Sequence, residues 1–119
     1  AEGYLFLCDR ATDMIVSGGV NIYPAEIEAA LLRLPTVLDC AVFGIPDAEF
    51  GERVHATLQL ASGAAADGDT VAEALRPHLA GFKIPRSFAF VDALPRDPNG
   101  KIAKRRLREP YWAGQVRNI

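Results

Sequence analysis

Cysteine, long apolar runs and a surplus of charge are all scarce in this sequence. Its two cysteines, Cys8 and Cys40, are too few for a disulfide framework, and neither has C-x-x-C or Cys/His spacing. A reducing, cytoplasmic setting is therefore the expectation. No apolar stretch approaches the ~20 residues of a membrane-spanning helix, and no basic segment leading into an apolar one marks a secretory leader. Net charge is only −2, with 24% charged and 50% hydrophobic residues, which excludes a disordered chain. Repeats and low-complexity tracts are absent too. What is present is enough for one core, since a chain of this size buries roughly two-thirds of its unfolded surface.

The small net charge hides an asymmetry. Residues 1–81 carry 4 Lys/Arg against 12 Asp/Glu, whereas residues 82–119 carry 9 against 3. A basic third of this kind fits a polyanion, whether nucleic acid, phospholipid or a phosphorylated small molecule. It equally fits a surface that faces acidic groups elsewhere. Ala1 is not an initiator methionine and strand-like sequence follows at once, so a processed start or a piece of a longer chain is expected.

Tyr4-Leu5-Phe6-Leu7-Cys8 and Met14-Ile15-Val16-Ser17 are short β-type runs separated by five polar or small residues, a spacing that predicts an N-terminal β-hairpin. Gly18-Gly19 follows, either a turn or bare backbone that a ligand can approach. Pro24 opens a helix with Ile27, Ala30, Leu31 and Leu34 as its apolar stripe, closed by Pro35. Residues 37–43 read as a buried strand and Gly44-Ile45-Pro46-Asp47 as a turn region. Residues 53–60 form a second strand, with Val54, Ala56, Leu58 and Leu60 on one side and His55, Thr57 and Gln59 on the other. Thr70 and Glu73 have capping-box spacing for a helix running to about Ala80. Residues 87–91 form a third strand, residues 103–108 a short basic helix, and the tail from Tyr111 has no clear period. The fold class is α+β: a small three-stranded mixed sheet with helices packed on it, plus the N-terminal hairpin and the basic C-terminal helix.

Leu94-Pro95-Arg96-Asp97-Pro98-Asn99-Gly100-Lys101 is the sharpest local feature. Asn99-Gly100 reads as a tight turn that projects Lys101. A phosphate-binding P-loop is excluded, because its first glycine falls at Pro95 and its Ser/Thr at Ile102. By spacing alone, Lys101 could equally be a solvated surface lysine. Arg10 offers a planar donor fork for a phosphate, carboxylate or diol, or else a surface pair with a neighbouring aspartate. His55 and His78 have no sequence-adjacent nucleophile. Cys8 and Cys40 fall within strand-like runs and suit small core positions. Tyr111 and Trp112 read as packing anchors. No aromatic alternates with basic residues as a single-strand binder needs, so specific nucleic-acid binding is not expected.

Together these segments resemble a known family. The stretch from Tyr4 through Asp9-Arg10, Ser17-Gly18-Gly19-Val20-Asn21-Ile22-Tyr23-Pro24 and Glu26-Ile27-Glu28 is similar to the motif that begins the small C-terminal domain of adenylate-forming enzymes. That superfamily of AMP-dependent synthetases and ligases includes acyl-CoA synthetases, peptide-synthetase adenylation domains and firefly luciferase. Asp39, Gly44-Ile45-Pro46-Asp47 and Gly51-Glu52 resemble its middle segment. Leu94-Pro95 through Gly100-Lys101, with Lys104 and Leu107-Arg108, resembles its last motif. The resemblance covers essentially the whole chain, and its Ser-Gly-Gly-x-Asn-Ile-Tyr-Pro form is most like fatty-acyl or aryl CoA ligases.

The resemblance implies a lid domain, residues 1–119, that swings against a large N-terminal domain not contained in these residues. ATP and a carboxylic acid would give an acyl-adenylate, and CoA would then displace AMP. Mg2+ would be held by ATP and the large domain. Lys101 would be the catalytic lysine of adenylation. Arg10 would lie near the ribose and phosphate of AMP, Gly18 and Gly19 would line the pantetheine tunnel, and Lys83, with Arg76 less directly, would meet CoA phosphates. Thr12 occupies the hinge position, where Asp or Lys is usual, with Asp13 beside it to share the role. Alone, such a domain is expected to be inactive. Transfer to a carrier-protein thiol and a non-enzymatic polyanion-binding module are the alternatives.

Overall fold

The computed structural model describes residues 14–113. The strand-like run at residues 4–8 lies outside them, as do Cys8, Arg10, Thr12 and Asp13. Strand β1 (Ile15–Ser17) pairs antiparallel with β2 (Val20–Ile22). The hairpin turn within the described residues is therefore Gly18-Gly19, with φ of 58° and 84°. Two consecutive positive φ values match the twist of a two-residue hairpin and exclude most side chains.

Helix α1 (Pro24–Leu32) buries Ile27, Ala30 and Leu31. It ends two residues before Leu34, where the Arg33 and Leu34 N–H groups bond back to Ala30 and Leu31 as the last turn tightens. Strand β3 (Val37–Asp47) continues through the Gly-Ile-Pro-Asp segment that the sequence marked as a turn. Pro46 is tolerated there because β3 is an edge strand. The turn comes at residues 48–50, capped by the Asp47 carboxylate, which accepts the Glu49 and Phe50 N–H groups and is held below the usual carboxylate range by those bonds.

Strand β4 (Gly51–Leu60) is central. It pairs antiparallel with β3 and parallel with β5 (Ser87–Val91). The parallel pairing needs a crossover, supplied by helix α2 (Gly68–Leu75) and a 3-10 turn (Gly81–Lys83). Asp67, not Thr70, caps α2, with its carboxylate accepting the Thr70 N–H at 2.8 Å. The helix stops short of Ala80 because Pro77 has no N–H to continue the ladder.

The period-two reading of β4 holds, but both of its faces are buried. Val54, Ala56 and Leu58 join Cys40 and Val42 under α1, α2 and the hairpin. On the reverse face Ala41, Phe43 and Ile45 pack against Ile102 and Leu107, the latter on helix α3 (Lys104–Trp112). This helix extends four residues beyond the sequence expectation. The architecture is α+β, with helices on both faces of a three-stranded mixed sheet.

Candidate functional site

Lys101 stands exposed at the tip of a loop whose two ends are buried. Leu94 enters the core and its N–H donates to the Gln59 side chain at 3.2 Å. Ala103 enters the core from the other end and its N–H donates to the Pro95 carbonyl at 2.8 Å. Between them Arg96 and Ile102 form an antiparallel bridge. The turn is closed by Gly100 N–H to the Asp97 carbonyl at 2.8 Å, with Gly100 at φ 89°. The tight turn expected from Asn-Gly is thus present, and it carries an exposed Lys101 on an anchored base.

Gly18 and Gly19 occupy a different place. The Gly18 N–H bonds the Phe50 carbonyl at 2.9 Å, which ties the hairpin to the β3–β4 turn. A methyl on Gly18 would come within 3.2 Å of the Phe50 ring, whereas one on Gly19 would meet nothing within 4 Å. Beside them an open cleft of about 200 Å³ is lined by Gly18, Val20, Ile22, Phe50, Phe82 and Arg86. The Arg86 guanidinium lies 4.9 Å over the Phe50 ring and forms no ion pair among the described residues. Sequence reasoning passed over Arg86, since a single arginine at the head of a strand carries no motif.

The two places are anchored at opposite ends of the β3–β4 pair. Asp39 and Gln59, partners in the ladder, hold the lysine loop, while the 48–50 turn holds the glycines. Eight residue steps along β3 lead from Asp39 to Asp47, roughly 26 Å at ~3.3 Å per step.

Lys83 is half-buried and engaged: its ammonium is 2.8 Å from the Glu26 carboxylate and 5.5 Å from the centre of Phe82. Arg76 pairs with Glu73 at 2.8 Å on an exposed helix end. Arg96 pairs with Asp39, and Lys104 with Glu28 at 2.8 Å. Part of the basic third therefore faces acidic groups of this same chain.

His55 is buried, on a face that the C-terminal helix covers. Its ring contacts Phe43 and Tyr111 at centroid distances of 5.1 and 4.7 Å, and its nitrogens reach Ser87 Oγ at 2.8 Å and Thr57 Oγ1 at 3.1 Å. Burial, helped by the Arg53 charge, pushes its pKa down to about 4. Cys40 is also buried, and desolvation followed by the neighbouring Glu28 and Asp39 charges pushes its thiol up to about 12, which makes it inert as a nucleophile. Among the described residues no three His, Cys, Asp or Glu side chains gather as a metal site, and no helix is long and apolar enough to cross a membrane.

Residues 26–101 match the family described as the AMP-binding enzyme C-terminal domain. The chain belongs to that family. It is 42% identical over 118 residues to a fatty acid–[acyl-carrier-protein] ligase, ScoC, of Streptomyces coeruleorubidus, covering 99% of this chain and 23% of that protein. It is 46% identical over 110 residues to a feruloyl-CoA synthase of an Amycolatopsis species, covering 92% of this chain and 22% of the relative. Among solved structures, ATP-bound MatB from Rhodopseudomonas palustris superposes with a TM-score of 0.79 at 43% identity, over 83% of this chain and 20% of that one. This AMP-binding C-terminal domain thus spans about a fifth of the length of the proteins it matches.

Proposed function

We propose that this chain is the mobile small domain of a longer ATP-dependent acid–thiol ligase acting on fatty or aryl carboxylic acids. It would work against its own large N-terminal domain, with ATP, the acid and CoA as substrates, in the cytoplasm. The observation that carries this reading is the separation of Lys101 from the Gly18-Gly19 cleft. Two places anchored at opposite ends of one sheet cannot serve a single reacting carbon in one orientation, so a rotating domain would present them in turn.

In the first orientation the Lys101 ammonium would approach the carboxylate and α-phosphate oxygens, where charge accumulates as the new C–O–P bridge forms. A preorganised donor aimed at such charge is worth on the order of 10²–10³ in rate. In the second orientation the bare Gly19 backbone and the adjoining cleft would admit the pantetheine arm, with Arg86 and, once released from Glu26, Lys83 as cations for CoA phosphates. Arg10 would serve the AMP ribose and phosphate, and Thr12 with Asp13 the hinge. Mg2+ would arrive on the triphosphate, and the described residues supply no cluster to hold it.

The test is a pair of half-reactions in the full-length parent. Lys101→Ala should depress acid-dependent ATP–pyrophosphate exchange at least a hundredfold while sparing thioester formation from preformed adenylate. Equal losses in both would remove Lys101 from this role. The isolated 119 residues should release no pyrophosphate from ATP and a fatty acid. The likeness to ScoC over nearly the whole chain favours one second reading, in which the acceptor is a carrier-protein thiol. Supplying CoA and a pantetheinylated carrier protein in turn decides between them.

A further inference from the structure

The geometry points to Arg96 and Asp39 as positioning residues that fix the backbone of Lys101 for adenylation, a role that rests on the function proposed above. The peptide groups on both sides of the Lys101 Cα are held. The Gly100 carbonyl accepts from Arg96 Nη1 at 3.0 Å, the Lys101 N–H donates to Asn99 Oδ1 at 3.2 Å, and the Lys101 carbonyl accepts the Asp97 N–H at 2.7 Å. Asn99 and Asp97 are inside the turn and move with it. Of the side chains that hold these two peptide groups, Arg96 also reaches the sheet, because its second terminal nitrogen, Nη2, pairs with Asp39 Oδ2. Asp39 is itself fixed, since its other oxygen accepts the Cys40 N–H at 2.9 Å and Cys40 is buried in the core.

A continuous line therefore runs from the β3 backbone through Asp39 and the Arg96 fork to the peptide that launches Lys101. A planar guanidinium holds the carboxylate with one nitrogen and the carbonyl with another at a fixed spacing, whereas a lysine in its place must serve both from one nitrogen on a flexible stem. Arg96 is exposed, and an exposed ion pair adds little to stability. Its contribution is to where the ammonium of Lys101 arrives. A misplacement of about 1 Å in a reacting group can cost on the order of a hundredfold in rate.

The experiment uses the full-length synthetase with Arg96→Gln, Arg96→Lys and Asp39→Asn, each alone and combined with Lys101→Ala. Both half-reactions and thermal unfolding are measured. Arg96→Gln and Asp39→Asn should each lower the kcat of adenylation about 10–100-fold, with KM for ATP, thioester formation and Tm essentially unchanged. Arg96→Lys should recover only part of the loss. In the Lys101→Ala background neither substitution should add a further loss, because there is no ammonium left to place. Undiminished adenylation in R96Q and D39N beside a crippled K101A would overturn the brace and leave Lys101 in its role. Losses that multiply in the K101A background, a matching fall in Tm and in both half-reactions, or full recovery in R96K would also overturn it. Undiminished adenylation in K101A itself would remove both readings.

Discussion

The indole Nε1–H of Trp112 donates to the Gly44 carbonyl at 3.0 Å, a bond between residues 68 positions apart. Gly44 faces outward on the free edge of β3, and two residues earlier the Val42 N–H on that edge donates to the Glu28 carboxylate at 2.9 Å. Side chains from two helices thus occupy edge groups that would otherwise recruit a foreign strand. Trp112→Phe keeps most of the packing and removes the donor, so a loss of about 1 kcal/mol is expected in urea denaturation. Trp112→Ala should lose roughly 2–4 kcal/mol, because it also empties the contact with the sheet. A W112F midpoint equal to that of the parent chain would show that the bond contributes nothing.

His55 gives the fold a pH limit. Its folded pKa of about 4 lies below the ordinary value of 6.5, so the folded state resists a proton that the unfolded chain accepts. Above pH 6.5 neither state carries the proton, and stability is unaffected. Between 6.5 and 4 the unfolded state gains it and stability falls. Below about 4 both states carry it and the loss levels off, at about 3 kcal/mol for a shift of this size. Denaturation midpoints of the parent chain and His55→Gln should therefore converge as pH drops from 7 to 4. Parallel pH profiles for the two would exclude His55 as the cause.

The two glycines of the hairpin should respond differently to alanine. Both substitutions force a positive φ, at a cost of about 1–2 kcal/mol each. Gly18→Ala must in addition displace the Phe50 ring, so it should be the more destabilising of the two. Thermal unfolding of G18A and G19A ranks them. A less stable G19A would reverse the packing argument.

Cys40 should be almost unreactive in the native chain. A thiol pushed from 9.0 to about 12 has on the order of a thousandfold less thiolate at neutral pH. In a Cys8→Ser background, labelling by iodoacetamide should be slow until denaturant is added. Rapid native labelling would mean that the strand opens locally.

The order and type of the elements were legible because hydrophobic period and turn residues act locally. The alternation of Val54, Ala56 and Leu58 fixed the core face of β4, and Asn99-Gly100 fixed the lysine turn. Pairing was less legible. Nothing in the sequence at Pro46 says that β3 runs on an edge, where a missing N–H is harmless. The burial of His55 depends on Tyr111, 56 positions away, swinging a helix over a face that alternation marks as polar. The same distance hid the partners of several basic side chains. The sequence presents Arg96, Lys83 and Lys104 as a basic cluster, whereas Asp39, Glu26 and Glu28, which lie 57 and more residues earlier, occupy them in the folded chain.

The parallel pairing of β4 with β5 also sets the order in which the molecule can complete itself. The β1–β2 and β3–β4 hairpins close over short loops, but the His55–Ser87 pair cannot form until the whole crossover has been synthesised and packed. The lysine loop hangs from the end of β5 and is pinned to Gln59 and Asp39 on strands made much earlier. A chain emerging from the ribosome therefore assembles the Lys101 loop late, onto a sheet that already exists. A half-finished domain has no organised lysine at that position.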